Sequence, residues 1–348
     1  MLETDGTAAR LARRSVQEGE IVPEVTDPYL REQLERRRSE LCSALSAGAS
    51  AAPCTQLLEE VDSALTRMDR GTFGICDVCH DSIEKERLIA DPLVTLCLDH
   101  LSSAEQRALE RDLELAARVQ RGLLPQRALR FADWHVHYDY RPAGLVSGDY
   151  CDLILPQDGE RKLIFLLGDV TGKGVAASLL MTHLHAMFRS LSGVGLELGK
   201  LIELANRVFC ESTIAGQYAT LICGRAADDG FIELASAGHF PALHVRRGGV
   251  AEIRSTGVPL GMFSKSTYTV ETVRLERGDS LVLYTDGISE ANSAAGVEYG
   301  IMRLSKLAGG NFGASPDRLL AACFEDVGLY SSGVRQADDQ TLMVIQRA

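Results

Sequence analysis

LIFLLGDVTGKGVAASLLM, residues 163–181, changes character twice over a short span. Its apolar run predicts a strand over 162–168, Gly168-Asp169-Val170 ends that strand, and VAASLLMTHLHAMFRSL predicts a helix over about 175–191. An aspartate is thereby left where a buried strand meets a glycine-spaced turn. Outward from this stretch, alternating or apolar runs predict strands over 135–141, 150–155, 217–224, 231–237, 241–247 and 280–285. Turns are expected at Asp158-Gly159, Asp229-Gly230 and Gly248-Gly249, and further helices over about 197–213 and 316–327. Hairpin-connected strands with segregated helices read as α+β, not as alternating βαβ units.

Upstream of Pro125 the texture is helical. Leu30, Leu34, Leu41 and Leu45 recur near helical spacing, the small residues SAGASAAP (46–53) interrupt them, and Leu57, Leu58, Val61, Ala64, Leu65 and Met68 form a second apolar stripe. The expected organisation is a flexible tail over 1–27, a helical hairpin over 28–70, a cysteine-containing module over 71–100, a linker helix over 101–125 and a larger domain over 126–348.

With 45% hydrophobic and 24% charged residues, the composition is that of a globular protein. No apolar run approaches the ~18–20 residues of a membrane helix, so no membrane contact is expected. The first twenty residues lack the apolar core of ~7–15 residues found in secretory signals, which makes a cytoplasmic location the expectation. The net charge of −12 argues against broad nucleic-acid binding, which is driven by Lys and Arg. Nine cysteines, an odd number, then read as reduced thiols that serve as metal ligands, catalytic groups or core.

Cys76-x2-Cys79, seventeen residues, then Cys97-x2-His100 supplies two close ligand pairs, the arrangement a tetrahedral structural zinc ion requires. His80 competes for the fourth place but adjoins Cys79. The segment 57–100, with GTFGICDVC (71–79) and ERLIADP (86–92), resembles the DksA/TraR zinc-finger family, in which a helical hairpin precedes a four-cysteine finger. Two departures stand out: His100 replaces a cysteine, and the turn SAGASAAPCT (46–55) lacks the acidic tip through which that family acts inside RNA polymerase. The finger is therefore read as a structural or protein-contact module.

Four acidic motifs flank hydrophobic strands: Ser147-Gly148-Asp149-Tyr150, Gly168-Asp169-Val170, Tyr284-Thr285-Asp286-Gly287 and Asp338-Asp339-Gln340-Thr341. Singly, each reads as a turn or cap. If their strands share a core, the carboxylates converge, and converging like charges need protons or cations; hard divalent ions suit all-oxygen ligands.

From ARVQRGLLP (117–125) onward, about 230 residues resemble the SpoIIE/RsbU-type branch of the PPM (type 2C) metal-dependent serine/threonine phosphatases. The carriers, in order, are RPAGLVSGDYCDLI (141–154), LLGDVTGKGVAASLLM (166–181), ASAGHFPALHV (235–245), GVPLG (257–261), LVLYTDGISEA (281–291) and ADDQTLMVI (337–345). The resemblance implies an αββα sandwich, preceded here by the helical hairpin and zinc-finger module, with two Mn2+ or Mg2+ ions between its sheets. It implies that Asp169 bridges both metals, that Val170 offers its carbonyl, and that Asp286 and Asp338 bind the second metal. Asp149 completes the centre directly or through water, and Asp339 ranks below Asp338. Two metals about 4 Å apart activate a water for in-line attack on phosphorus, so no protein nucleophile is needed. Lys173 and Arg141 are candidate phosphate contacts, with a solvated side chain as the plainer alternative. Cys151, Cys210, Cys223 and Cys323 read as core filling, His239 as a hydrogen-bonded turn residue, and His183 and His185 as structural.

The leading reading is a phosphoserine/phosphothreonine protein phosphatase with one structural Zn2+. The resemblance implies a phosphorylated STAS-type anti-sigma-factor antagonist as substrate, and a helix before the catalytic domain that carries regulation and homodimerisation. Two other readings stand beside it. One is a transcription-associated, RNA-polymerase-binding regulator of DksA/TraR type with a secondary or inactive phosphatase domain. The other makes the finger a redox or metal sensor.

Overall fold

The computed structural model describes residues 28–46, 51–101, 103–155, 162–214 and 216–348. The expected tail and the Asp158-Gly159 turn lie outside the described residues. Two compact units meet at Leu109 and Glu110.

The first unit holds α1 (Pro28–Ser46), α2 (Ala51–Asp69), α3 (Lys85–Ala90), a 3-10 turn (Leu98–His100) and the start of α4 (Ser103–Leu123). Helices α1 and α2 pair: Leu30 and Leu34 of one and Val61, Ala64 and Met68 of the other are buried together with Phe73, Ile83 and Leu88. Ion pairs Arg31–Asp69 and Arg38–Asp62 span the two helices at the surface. Helix α2 begins at Ala51, so the second half of the expected interruption at 46–53 is helical. Alanine is the strongest helix former, and a proline in the first turn loses no intrahelical bond.

The second unit continues through the rest of α4 into β1 (Ala128–Phe131), β2 (Trp134–Arg141), β3 (Tyr150–Ile154), β4 (Lys162–Val170), α5 (Gly174–Ser192) and α6 (Leu198–Ser212). Then come β5 (Ala219–Ala227), β6 (Phe231–Ala237), β7 (Ala242–Arg246), β8 (Gly249–Ile253), β9 (Glu271–Arg274) and β10 (Ser280–Tyr284). Finally α7 (Asp286–Ser289), α8 (Ile301–Gly310) and α9 (Pro316–Tyr330) lead to β11 (Gln340–Arg347). One sheet has the order β1-β2-β11-β10-β7-β8 and the other β3-β4-β5-β6-β9, and neighbours in both are antiparallel.

Three apolar layers hold this unit together. Between the sheets lie Trp134, Val136, Phe165, Leu167, Leu283 and Met343. Helices α5 and α6 cover the outer face of the second sheet through Leu184, Phe188, Ile202 and Phe209, and α8 and α9 cover the first through Leu304, Leu320 and Phe324. The result is the αββα sandwich the sequence implied. Covered on both faces, the central strands lose the usual alternation: β3 and β10 are buried throughout, and β4 is buried from Leu163 to Gly168. The unexpected strands β1, β8 and β9 lie at or near sheet edges with mostly exposed or half-buried residues, which leaves little periodic signal to read.

Phe165 lies fully buried between the sheets. Phe165→Ala should destabilise the fold by about 3–5 kcal/mol, seen as a lower urea midpoint with an unchanged slope.

Candidate metal centres

Four strand ends deliver the acidic motifs to one place. Tyr150 of β3 pairs with Gly168 of β4, so Asp149 emerges beside Asp169. From the facing sheet, Tyr284 of β10 pairs with Leu342 of β11, which brings Asp286 up to the Asp338-Asp339 segment. Two glycines let the motifs approach one another. A Cβ at Gly148 would stand 3.1 Å from the Val170 carbonyl and 3.4 Å from Asp169 Oδ1, and one at Gly287 would collide with the Asp339 carbonyl.

Asp149 joins the sheets. Its Oδ2 accepts hydrogen bonds from Thr285 Oγ1 at 2.9 Å and from Thr341 Oγ1, residues at the ends of β10 and β11. Its Oδ1 is buried and has no hydrogen-bond partner among the described residues. Burial, and next the charge of Asp169, hold the Asp149 carboxyl well above the usual range. Burial followed by Asp286, Asp338 and Asp339 raises Asp169 to about 8, and burial followed by Asp338 raises Asp286 to about 6. Such a cluster is stable as carboxylates only if cations neutralise it. The all-oxygen donor set and the orphaned Asp149 Oδ1 fit hard divalent ions.

Asp339 has a different task. Its Oδ1 accepts the Ala143 N–H at 2.7 Å and its Oδ2 the Gly148 N–H at 2.9 Å, so both oxygens clamp the loop that carries Asp149. The same loop is gripped from α4, where buried Gln120 donates to the Ser147 carbonyl at 2.7 Å and accepts the Ser147 N–H at 3.0 Å. Sequence reasoning passed over Gln120, Thr285 and Thr341. The threonines stood inside quoted motifs, but nothing in a single chain marks them as partners of Asp149.

Lys173 reaches Asp338 Oδ2 at 2.9 Å and the Ala337 carbonyl at 2.8 Å, supplying a cation that the motif around Asp338 lacks. Arg141 is held by Asp139 at 3.0 Å and lies over the Phe324 ring, 3.9 Å from its centroid. It touches none of the central aspartates directly but shares a cavity of about 410 Å³ with Lys173, Gly287, Arg335 and Asp338. Cys151, Cys223 and Cys323 are buried, and burial raises all three thiols, the latter two to about 12. His183 stacks on Phe209, and His185 lies 3.4 Å from buried Asp152.

In the first unit, the ligand atoms of Cys76, Cys79, Cys97 and His100 all lie within 4.8 Å of one another. Cys97 Sγ is 3.7 Å from Cys79 Sγ and 3.2 Å from His100 Nδ1. Burial opposes ionisation of the Cys76 thiol, but the backbone amides of Cys79, Cys97 and Val78 outweigh it and bring the thiol down to about 6. His80, the competing ligand, is exposed at a left-handed turn with φ of 61° and stays outside the cluster.

His239 is buried, with Nδ1 2.9 Å from Thr220 Oγ1, and burial lowers its imidazole to about 4. A histidine depressed in the fold stays neutral while the unfolded chain takes up a proton below about 6.5, so stability is lost as pH falls through that window. The loss should approach about 3 kcal/mol by pH 4, and His239→Gln should flatten the acid limb of urea midpoints measured from pH 7 to 4.5.

The family model for Stage II sporulation protein E (SpoIIE) matches residues 159–348, and that for the prokaryotic dksA/traR C4-type zinc finger matches residues 71–99. The chain is 27% identical over 265 residues to Protein IcfG of Synechocystis, covering 68% of this chain and 41% of that protein. It is 25% identical over 248 residues to phosphoserine phosphatase RsbU of Bacillus subtilis, covering 70% of this chain and 72% of that one. The chain thus spans well under half the length of one relative and about seven tenths of the other. In fold it is similar to the SiaA-PP2C domain of Pseudomonas aeruginosa, with a TM-score of 0.62 at 19% identity over 70% of this chain and 99% of that one. With more than half of the chain, residues 159–348, matched by one family model, the protein belongs to the SpoIIE family.

Proposed function

We propose that the protein is a metal-dependent phosphatase acting on phosphoserine or phosphothreonine in a protein substrate. The observation that carries this reading is Asp149: a buried carboxylate with one oxygen satisfied by two threonines and the other without a partner among the described residues, beside a second buried carboxylate. Asp169, Asp286, Asp338, Asp149 Oδ1 and the Val170 carbonyl would hold the catalytic metals. When bound, two Mn2+ or Mg2+ ions supply Lewis acidity and a water acidified for in-line attack on phosphorus. The chain's own residues then orient and shield. Asp339 and Gln120 fix the loop at 143–148, Lys173 balances Asp338, and Arg141 presents a guanidinium on the wall of the same cavity. The raised thiols of Cys151, Cys223 and Cys323 leave the chain without a cysteine nucleophile there.

The four-ligand cluster of the first unit would hold one structural Zn2+ and make that unit a regulatory module. Similarity to a protein named phosphoserine phosphatase RsbU supports phosphoserine as the group hydrolysed, and the resemblance of the sequence motifs makes a STAS-type antagonist the protein that carries it. Leu115 and Val119, about half exposed and one turn apart on α4, support homodimerisation through the helical region.

The direct assay is hydrolysis of p-nitrophenyl phosphate and of a phosphoserine STAS protein with Mn2+. Asp169→Asn should reduce both by more than the roughly 10–100-fold typical of outer-shell partners, and metal-loaded protein inert toward both substrates would refute the assignment. Cys76→Ser should release one zinc per chain while the Mn2+ content of the acidic centre stays unchanged, as read by elemental analysis; full zinc retention would exclude the four-ligand site.

A further inference from the structure

A second concavity, of about 760 Å³, lies beside the cavity that Asp338 and Gly287 border, and the segment Arg335–Asp338 together with Lys173 borders both. The two differ in character. The first is walled by Arg141, Lys173 and Asp338, whereas the second is lined on its far side by Leu113, Leu145, Val146 and Val175. Leu145 is 56% and Val175 46% exposed, a large apolar exposure to find next to a charged centre. Leu179, one helical turn beyond Val175, is 66% exposed and extends the apolar surface along α5. On the shared ridge, Arg335 is exposed and forms no ion pair or hydrogen bond among the described residues, unlike Lys173 and Arg141, whose charges are engaged.

We infer that the two concavities form one substrate groove: the phosphoryl group sits at the ridge beside Arg335, and an apolar side chain flanking the phosphoserine packs between Leu113, Leu145 and Val175. The inference rests on the phosphatase reading and specifies its substrate class. Continuity places the occupant, because a chain segment that leaves the phosphoryl site over the ridge enters the apolar side next. Charge complementarity selects it, because an unpaired guanidinium beside the centre matches a phosphate dianion bidentately. The occupant is therefore a phosphoserine segment of a protein with an aliphatic residue close to the phosphoserine. The same groove leaves a small aryl phosphate without an apolar partner.

The test compares, with Mn2+, p-nitrophenyl phosphate and two phosphoserine peptides flanked on both sides by leucine or by serine. Wild-type protein should prefer the leucine-flanked peptide by about tenfold in kcat/KM, the size of effect one aliphatic pocket supplies. Val175→Asp and, separately, Leu145→Asp should bring the ratio between the peptides close to one, and Arg335→Ala should lower kcat/KM for both peptides. Equal rates for the two peptides in the wild type, or a preference that survives both aspartate substitutions, would overturn the groove. The wild-type comparison decides even where a variant fails to fold. A wild type that hydrolyses p-nitrophenyl phosphate but neither peptide also overturns the groove alone, whereas metal-loaded protein inert toward all three overturns the phosphatase reading itself.

Discussion

One carboxylate ties the two sheets of the second unit together where the acidic motifs meet. Asp149 leaves the start of β3 in one sheet, and its Oδ2 takes hydrogen bonds from Thr285 and Thr341 at the ends of β10 and β11 in the other. The apolar layer between the sheets brings them face to face but, being non-directional, does not fix how their ends align. The hydrogen bonds to Asp149 do, since angle and distance both matter to them. With Asp149 set, Asp169 stands beside it through the β3–β4 register, and Asp286 and Asp338 through β10 and β11. Removing a hydrogen-bond partner from a buried carboxylate costs the desolvation of the group left unpaired, so this joint resists change.

The same arrangement sets stability against function. Asp149, Asp169 and Asp286 are all pushed toward the neutral acid, chiefly by burial and then by neighbouring carboxylates: Asp169 for Asp149, Asp286 for Asp169, and Asp338 for Asp286. A fold under selection for stability alone would replace some of these groups with apolar residues. Together these carboxylates make the site a reservoir of unfavourable charge that a bound divalent cation would relieve, at a cost the surrounding fold absorbs. Asp339 illustrates the support: it is acidic and adjacent to Asp338, and each of its oxygens accepts a backbone amide of the 143–148 loop, so it shapes the centre as well as adding charge to it. The formal charge of −12 belongs to the bare chain and overstates the acidity of a metal-loaded one.

The sequence was most readable where burial is two-sided. Strands β4 and β10 announce themselves as apolar runs, β3 is apolar except for Asp152, and the aspartates at their ends follow from them. The zinc-type cluster was equally plain, because its ligands come in two close pairs with a fixed gap. Edge strands such as β9, Glu271–Arg274, left almost no pattern, since a strand with one neighbour and little buried surface is free to carry polar residues. Helix α8 was also passed over, although Leu304 and Ala308 are buried one turn apart. The long-range polar contacts were invisible for another reason: Gln120 to Ser147, Lys173 to Asp338 and Thr341 to Asp149 join residues distant in sequence, and only the assembled sandwich brings them together.

Gly287 carries a consequence for how such a protein diverges. The main chain after Asp286 rests directly against the Asp338-Asp339 backbone, with no space for a methyl group. The spacing between these two acidic segments is therefore set by peptide against peptide, and no neighbouring side chain can be trimmed to make room. Substitutions of packed or charged side chains have compensating partners available: a cavity can be refilled, or a salt bridge rebuilt with the opposite polarity. Position 287 has none, so a lineage that loses this glycine loses the spacing with it and has no second-site route back.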